Sequence, residues 1–537
     1  MQTCSNILIV GGGTAGWLTA AFLAKTLSTN DNNSIKIRLI ESTEIGIIGV
    51  GEGSFPSIRG TLAAIGISEA RFIRECHATF KQGIHFCDWV RPPSLDQSAS
   101  ANHYFHPFSQ PSQRSDTPEL LPYWLHGLAG KESAFAQAVT MQKRIADASR
   151  GPKRSSDKDF LGPMNYAYHF DASRFARLLA EHARSLGVQH LLGNVHEVRL
   201  NETGAIAGVH TQEHGELNAD LYIDCTGFRA RLIGEALGSP FKSVSDVLFV
   251  DRALAVQIPY AKPDQAIPSY TISTAHKAGW TWDIGLQERR GIGYVYSSRH
   301  SSDDEAEQVL RKYVGAGMDH LQARQLKLQI GYRPTQWIKN CVAIGLSGGF
   351  LEPLESSGIG LIETAAYLVS YLFPYNGDFE PVAKTFNHHM NERYERIVDF
   401  IKLHYCLSQR RDSAFWIDNA SPASIPESLQ DKLRMWQSRP PSRLDFITDL
   451  EMYPPSSWQY VLYGMEFPTQ LPANLIHVDQ IEAAQREFKN IAAFAEHAIK
   501  DLPDHRKLVD YFCRKAEAET MAQTATNTQQ KKTISQP

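Results

Sequence analysis

Cysteine is scarce and unpatterned in this chain: Cys4, Cys76, Cys87, Cys225, Cys341, Cys406 and Cys513 are spread over 537 residues without one C-x-x-C pair. That spacing excludes a disulfide framework and a zinc site, and it reads as reduced thiols in a cytoplasmic protein. Charge of one sign is lacking as well. A formal net charge of −4 and a pI near 6.6 provide no basic face for nucleic acid. Long hydrophobic runs are missing: the longest, Gly358 to Phe373, is broken by Glu363 and falls short of the ~20 residues of a spanning helix. Met1 to Asn6 lead straight into the strand-like Ile7–Val10 with no basic-then-apolar leader, so neither secretion nor membrane association is expected. None of the His, Cys or carboxylate positions has metal-ligand spacing, and no metal is expected.

What is present is a globular composition, 42% hydrophobic, long enough for two packed modules. Asn6 to Ile40 reads as strand, glycine turn, helix and strand, a βαβ unit. Further strands are expected at 195–200, 205–209, 221–224 and 341–344, with helices at 172–186 and 359–372, assembling a nucleotide-binding α/β module from separated segments. Residues 91–119 and 150–159 read as surface excursions or lids. A middle block, 247–333, has the alternating pattern of a sheet covering a ligand. From Phe379 onward the pattern is helical, with helices at 382–407, 429–437, 455–463 and 478–499. The tail after Ala516 is rich in Thr, Gln and Lys and is expected to be disordered. The domain reading is therefore 1–378 (1–90, 160–240 and 330–378 binding nucleotide, 247–333 the sheet), 379–515 a helical substrate cap, and 516–537 a disordered tail.

Gly11-x-Gly13-x-x-Gly16 follows a strand and opens a helix, where backbone N–H groups can hold a pyrophosphate that side chains would crowd. Thr14 and Ala15 lie within that turn. Glu41, at the end of the second strand, is placed to accept ribose hydroxyls, and no Arg follows it to favour a 2′-phosphate. FAD is preferred to NAD because Asp224-Cys225-Thr226-Gly227-Phe228 supplies a second backbone contact site after a late strand, with Thr226 and Gly227 at the turn. Gly49-Val50-Gly51-Glu52-Gly53 adds another glycine-rich approach, through Gly51 and Glu52.

Several motifs then occur in one order: GGGTAGW at Gly11–Trp17, GVGE at Gly49–Glu52, Lys81 in TFKQGI, Trp280 and Trp282 in GWTWDIG, GYVYS at Gly293–Ser297 and FLEPLESSG at Phe350–Gly358. Together they resemble the flavin-dependent tryptophan halogenase family over residues 1 to about 420. The resemblance implies an α/β fold in which a doubly wound, glutathione-reductase-like FAD module carries an inserted β-sheet and a helical C-terminal cap. It implies that FADH₂ from a separate flavin reductase, O₂ and a halide ion make hypohalous acid, which reaches Lys81 through a tunnel. Lys81 and Glu355 are then the catalytic pair, the amine presenting the oxidant and the carboxylate taking the ring proton. Taken alone, Lys81 reads as a snorkelling lysine and Glu355 as a helix-start carboxylate.

By the same resemblance Val195, Leu346, Gly349 and Ile359 join the cofactor contacts. The halide sits at the N–H groups of Ser357 and Gly358, where Ser356 resembles an N-cap. Trp280 and Trp282 act as a gate that keeps substrate from the flavin. The family's proline after the Trp motif is Gly285 here, which should loosen the following turn. Substrate contacts are assigned to His103, Phe105, Pro107, Phe108, Ser356, Trp458, Tyr460 and Tyr463, with His106 in the same aromatic cluster. Enzymes of the family that take free tryptophan anchor it with a tyrosine-rich cap segment. The segment Ser456–Met465 here has no Tyr-Tyr pair, so indole or a larger indolic or phenolic compound is the expected substrate. A homodimer follows by analogy only. Two rival readings are an aromatic monooxygenase and a non-catalytic flavin-binding redox protein.

Overall fold

The computed structural model describes residues 4–27, 35–43, 51–93, 102–114, 116–130, 133–471 and 480–534, with no account of side chains at 448 or beyond 521. Gly49 and Val50 of the second glycine-rich approach, residues 94–101 and 115 of the first excursion, and the expected helix start at Val478 lie outside those residues.

The apolar runs that alternate with helices in the sequence build a central sheet of six described strands. Their order is Trp337–Ile338, Cys341–Ala343, Leu221–Asp224, Asn6–Val10, Lys36–Glu41 and Gln189–Leu192. All neighbours are parallel except the first pair. Ile7 and Ile9 are fully buried on one face and Leu8 on the other, as a strand covered on both sides requires. Helices Thr14–Leu27, Ala172–Ser185 and Ser357–Tyr371 pack together beside it. The strands expected at 195–200 and 205–209 do not join this sheet. Ile206–Thr211 instead pairs antiparallel with Val195–Leu200 on one side and Gly215–Leu217 on the other, in a separate sheet. Leu200 is exposed, and a half-solvated antiparallel ribbon suits that polar alternation better than a buried parallel strand.

A second, mostly antiparallel sheet has seven described strands: Arg324–Lys327, Arg252–Pro259, Arg289–Tyr296, Gly279–Gly285, Thr271–His276, Gly83–Cys87 and His103–Pro107. The inserted sheet is therefore not confined to 247–333. It recruits Gly83–Cys87 from the first segment and His103–Pro107 from the supposed lid. The other excursion is pinned rather than loose. Lys153 is fully buried and its Nζ donates to Glu69 at 2.6 Å, and Tyr166 and Tyr168 also bond that carboxylate, at 2.8 and 2.5 Å.

A small third sheet consists of Glu52–Gly53, Ala167–Phe170 and Thr79–Lys81. The C-terminal part is helical: Phe379–Cys406, Glu427–Trp436, Pro455–Gly464, Ile481–Asp501 and His505–Ile534. The last helix runs into the stretch 516–537 that the sequence reads as a disordered tail. Leu508, Val509, Phe512 and Ala516 are buried, and once that face docks, extension through Ala- and Gln-rich sequence needs no new nucleation. Among the described residues no helix is long and apolar enough to cross a membrane.

Candidate active site

The glycine turn is shaped by its own chain. Gly11 has φ +115 and a Cβ there would overlap the Cys225 carbonyl; a Cβ on Gly16 would overlap the Gly11 carbonyl. Only glycine permits the strand, turn and helix to close so tightly. Gly13 differs: a Cβ there would meet nothing within 4 Å, so space lies open at the helix start. Glu41 reaches across the turn, since a Cβ on Gly12 would collide with its carboxylate, and its Oε1 is 2.8 Å from His190 Nε2. Asp224 shapes the second contact turn, accepting from Thr226 N and Oγ1 at 2.9 and 2.6 Å and from the N–H groups of Leu232 and Ile233 at 2.8 Å. Gly227, with φ +72, also faces open space.

The turn at Gly345–Ser347 presses on the first helix at Ala15, where a Gly345 Cβ would lie 2.7 Å from the Ala15 Cβ. Leu346 thereby stands close to the glycine turn, Ile359 lies in the first turn of the Ser357–Tyr371 helix that packs on the first helix, and Gly349 continues into a short strand against Tyr332. Val195 packs on the cluster of Leu8, Val10 and Ile40 at the other flank. An open helix N-terminus, an acidic residue at the second strand end and a second open backbone turn are a donor and acceptor set that fits a dinucleotide such as FAD.

Lys81 is fully buried. Its strand pairs with Ala167–Phe170, and its Nζ donates to Ser356 Oγ at 2.8 Å and stands 5.3 Å from the centre of the Phe108 ring. Burial pulls the ammonium down from 10.5 to about 7, while the Glu355 carboxylate acts in the opposite direction. Lys81 and Glu355 thus come together, with Ser356 rather than a direct ion pair joining them. Gly53 closes the other side: a Cβ there would lie 3.0 Å from both Lys81 Nζ and Ser356 Oγ. Desolvation, with Asp171 adding, pushes the carboxyl of Glu52 up to about 7.

Ser356 occupies the N-cap position of the Ser357–Tyr371 helix, but its left-handed backbone (φ 59) makes no side-chain cap bond. The expected capping role is therefore corrected, and its hydroxyl serves Lys81 instead. Ser357 is buried and Gly358 faces open space.

Glu355, 1% exposed, is held by two histidines. His106 Nδ1 lies 3.0 Å from both carboxylate oxygens and its Nε2 lies 2.8 Å from Ser457 Oγ. His404 Nε2 lies 2.9 Å from Glu355 Oε1, and its Nδ1 lies 3.1 Å from the Phe400 carbonyl. Burial, with His106 beside it, holds the His404 imidazole well below its ordinary range. Sequence reasoning missed His404 and Ser457, single polar residues inside helices that carry no local signature.

Strand alternation divides the aromatic cluster. His106 and Phe108 face the lysine and carboxylate, with Tyr104 stacked on Phe86 at 4.5 Å. Phe105 turns to the other face, against His85 and Tyr270, and His103 is exposed beside His85. Those two expected substrate contacts therefore point away from Lys81, while Pro107 stays in the strand opposite Gly83.

The expected contacts from the cap are already engaged by other parts of the protein. Trp458 packs on Phe400, Trp436 and Phe446. Tyr460 donates to the Ser109 carbonyl at 2.9 Å, and Tyr463 OH lies 3.1 Å from Thr469 Oγ1.

Trp280 and Trp282 share one face of their strand, ring centres 6.3 Å apart, and both are buried. Trp280 Nε1 donates to Glu352 Oε2 at 3.0 Å, and Tyr405 OH donates to the same oxygen at 2.7 Å. Gly285 does not loosen a turn. It remains in the strand opposite Arg290, its carbonyl accepts from Thr79 Oγ1 at 2.6 Å, and a Cβ would lie 2.7 Å from Ile267 Cγ2. Among the described residues no group of three or more His, Cys, Asp or Glu could hold a metal ion.

A tryptophan halogenase family model matches residues 6–480. The tryptophan 6-halogenase SttH of Streptomyces toxytricini is 34% identical over 520 residues, 93% of this chain and 96% of that protein. The tryptophan 7-halogenase RebH of Lentzea aerocolonigenes is 33% identical over 442 residues, 81% and 82% respectively. The crystal structure of a tryptophan halogenase from Shewanella frigidimarina superposes with a TM-score of 0.91 at 41% identity, covering 96% of this chain and 98% of that one. With that agreement in sequence and architecture, the chain belongs to the tryptophan halogenase family of flavin-dependent enzymes.

Proposed function

We propose that the chain is an FADH₂- and O₂-dependent halogenase that places chlorine or bromine on an electron-rich aromatic, indole or a larger indolic compound rather than free tryptophan. The observation that carries this is Lys81: a fully buried amine, its Nζ bonded at 2.8 Å to the residue next to an equally buried glutamate. Isolating two ionisable side chains from water costs several kcal/mol unless they serve each other or a reaction.

Reduced FAD, supplied by a separate reductase and held at Gly11–Gly16, Glu41 and Thr226–Gly227, would provide with O₂ the oxidising equivalents that turn halide into hypohalous acid. The first-turn N–H groups of Ser357 and Gly358 suit the halide anion. Trp280, fixed by Glu352, and Trp282 wall the aromatic substrate from the cofactor. At a pKa of about 7, Lys81 has both amine and ammonium available near neutrality, one to take up electrophilic halogen as a haloamine and the other to hold hypohalous acid by hydrogen bond. Excluding water at this point protects other side chains from the oxidant.

Glu355 then removes the proton from the ring carbon that has gained halogen. Its neighbours suit that task. His404 faces two acceptors, Glu355 Oε1 and the Phe400 carbonyl, while burial favours a neutral ring with one proton. With that proton on Nδ1 toward the Phe400 carbonyl, the Nε2 lone pair faces Glu355 Oε1, which supports a place beside the carboxylate for the proton taken from substrate. His106 donates Nδ1–H to Glu355 and accepts the Ser457 hydroxyl at Nε2, which fixes the carboxylate's orientation.

The substrate assignment is supported by the cap helix Pro455–Gly464. The hydroxyls of Ser457, Tyr460 and Tyr463 already have partners within the protein, which commits each one's single proton and leaves none to donate to an amino-acid carboxylate. A panel of indoles and phenols, incubated with a flavin reductase and either chloride or bromide, tests the reading by isotope pattern. Halogenated indole is expected. Product from free tryptophan alone would overturn the substrate, and an oxygenated product without halogen would overturn the reaction.

A further inference from the structure

The strand that carries Lys81 is short. Among the described residues Thr79–Lys81 pairs on one side, with Ala167–Phe170, and three residues on a single ladder are a weak support for a side chain whose tip must meet a small electrophile. Its other edge is closed by a side chain from far along the sequence. The N–H of Phe80 donates to His505 Nε2 at 3.0 Å.

His505 begins the C-terminal helix His505–Ile534 and is 1% exposed. Its Nδ1 lies 2.8 Å from the Ile267 carbonyl. A carbonyl on one side and an N–H on the other select a single neutral tautomer, with the proton on Nδ1 and the lone pair on Nε2. Burial pushes this imidazole down to about 4, so the lone pair persists at neutral pH. The ring is fixed in turn. His505 N donates to the Ser149 carbonyl and Gly151 N to the Pro503 carbonyl, both at 2.9 Å, and Phe80 packs against His505 and Phe512 with ring centres 6.0 and 5.8 Å apart. His505 lies beyond the span matched by the family model, which ends at residue 480.

We infer that His505 is a positioning residue for Lys81: by accepting the Phe80 N–H it fixes the Thr79–Lys81 strand, and with it the point at which the amine receives the oxidant. This rests on the halogenase reading above. Without that acceptor the strand keeps its sequence and its partner at Ala167–Phe170 but loses a buried hydrogen bond one residue from Lys81. Oxidant should then escape the lysine rather than fail to form.

The test uses the full-length enzyme with FAD, a flavin reductase, bromide and indole, comparing the parent with His505→Ala, His505→Leu and His505→Gln. Leucine fills the volume without an acceptor; the glutamine amide oxygen can take the Phe80 N–H. For Ala and Leu the expected result is a kcat at least about tenfold lower, with KM for indole and FAD affinity within about twofold of the parent. Oxidant reaching a scavenger such as monochlorodimedone should rise, and Gln should restore kcat to within about threefold of the parent. A Leu variant as fast as the parent would show that packing alone suffices and overturn the inference. So would parental turnover in Ala, or a Gln variant as impaired as Leu. Should Ala not fold, the contrast between Leu and Gln decides. A parent that makes no halogenated product at all would count against the proposed function, an outcome distinct from a loss confined to the variants.

Discussion

His106 Nδ1 lies 3.0 Å from each carboxylate oxygen of Glu355, although 249 residues separate the two in sequence. A donor centred between both oxygens holds the carboxylate plane, and a base works only if its oxygen faces the proton it removes. His106→Phe keeps a flat ring but no donor. A fall in kcat of about 10- to 100-fold is expected, with flavin affinity unchanged, and His106→Asn should retain more of the rate. Steady-state kinetics beside a flavin-binding titration check this, and a His106→Phe enzyme of parental speed would remove His106 from the mechanism.

Lys81 should be a liability for stability below neutral pH. Its folded value of about 7 lies under the 10.5 of an ordinary lysine. Between those values the unfolded chain holds a proton that the folded chain has released, so stability rises with pH across the window. Below about 7 the full penalty applies, on the order of 5 kcal/mol. Lys81→Met has no such proton. It should be more stable than the parent near pH 6, with the gap closing toward about pH 10, and it should bind FAD yet yield no halogenated product. Urea unfolding at a series of pH values checks the sign; a gap that stays constant would contradict the buried-amine assignment.

Gly53 leaves room at the amine. A methyl at this residue would lie 3.0 Å from both Lys81 Nζ and Ser356 Oγ, so the flexible end of the lysine would have to give way. Gly53→Ala should slow bromination more than chlorination, by about three- to tenfold in relative rate, because the larger halogen loses more of the space. Competition between the two halides, read from product isotope patterns, measures it, and an unchanged ratio would show that the oxidant sits elsewhere.

Glu352 is fully buried, and burial pushes its carboxyl up to about 7 against the hydrogen bonds of Tyr405 and Trp280. A neutral amide can replace it. Glu352→Gln should change stability by less than about 1 kcal/mol near neutral pH, whereas Glu352→Ala strands two buried donors and should cost about 2–4 kcal/mol. Thermal unfolding of both variants decides the matter, and equal losses would show that acceptance from Trp280 and Tyr405 is not what the residue provides.

The parts of the fold that were legible in the sequence are those written locally. Gly11, Gly13 and Gly16 between two apolar runs, and the helices near 172–186 and 359–372, follow from backbone freedom and hydrophobic period alone. Residues whose partners lie far away were not legible. His103 and Phe105 looked equivalent to His106 and Phe108 until strand pairing assigned alternate residues to opposite faces. The strands near 195–209 read as part of the nucleotide-binding module, and strand pairing put them in a separate antiparallel sheet.

By itself the sequence determined that a dinucleotide-type turn begins the chain, that Lys81 and Glu355 lie in segments resembling one family, and that a helical region follows Phe379. Tertiary structure alone decided that Ser356 stands between amine and acid, that His106 and His404 grip Glu355, and that His505 closes the edge of the lysine strand. The physical reason is reach. A glycine turn or a helical stripe is set by neighbours a few residues away, whereas a buried hydrogen bond depends on two distant side chains arriving within about 3 Å, which no local pattern encodes.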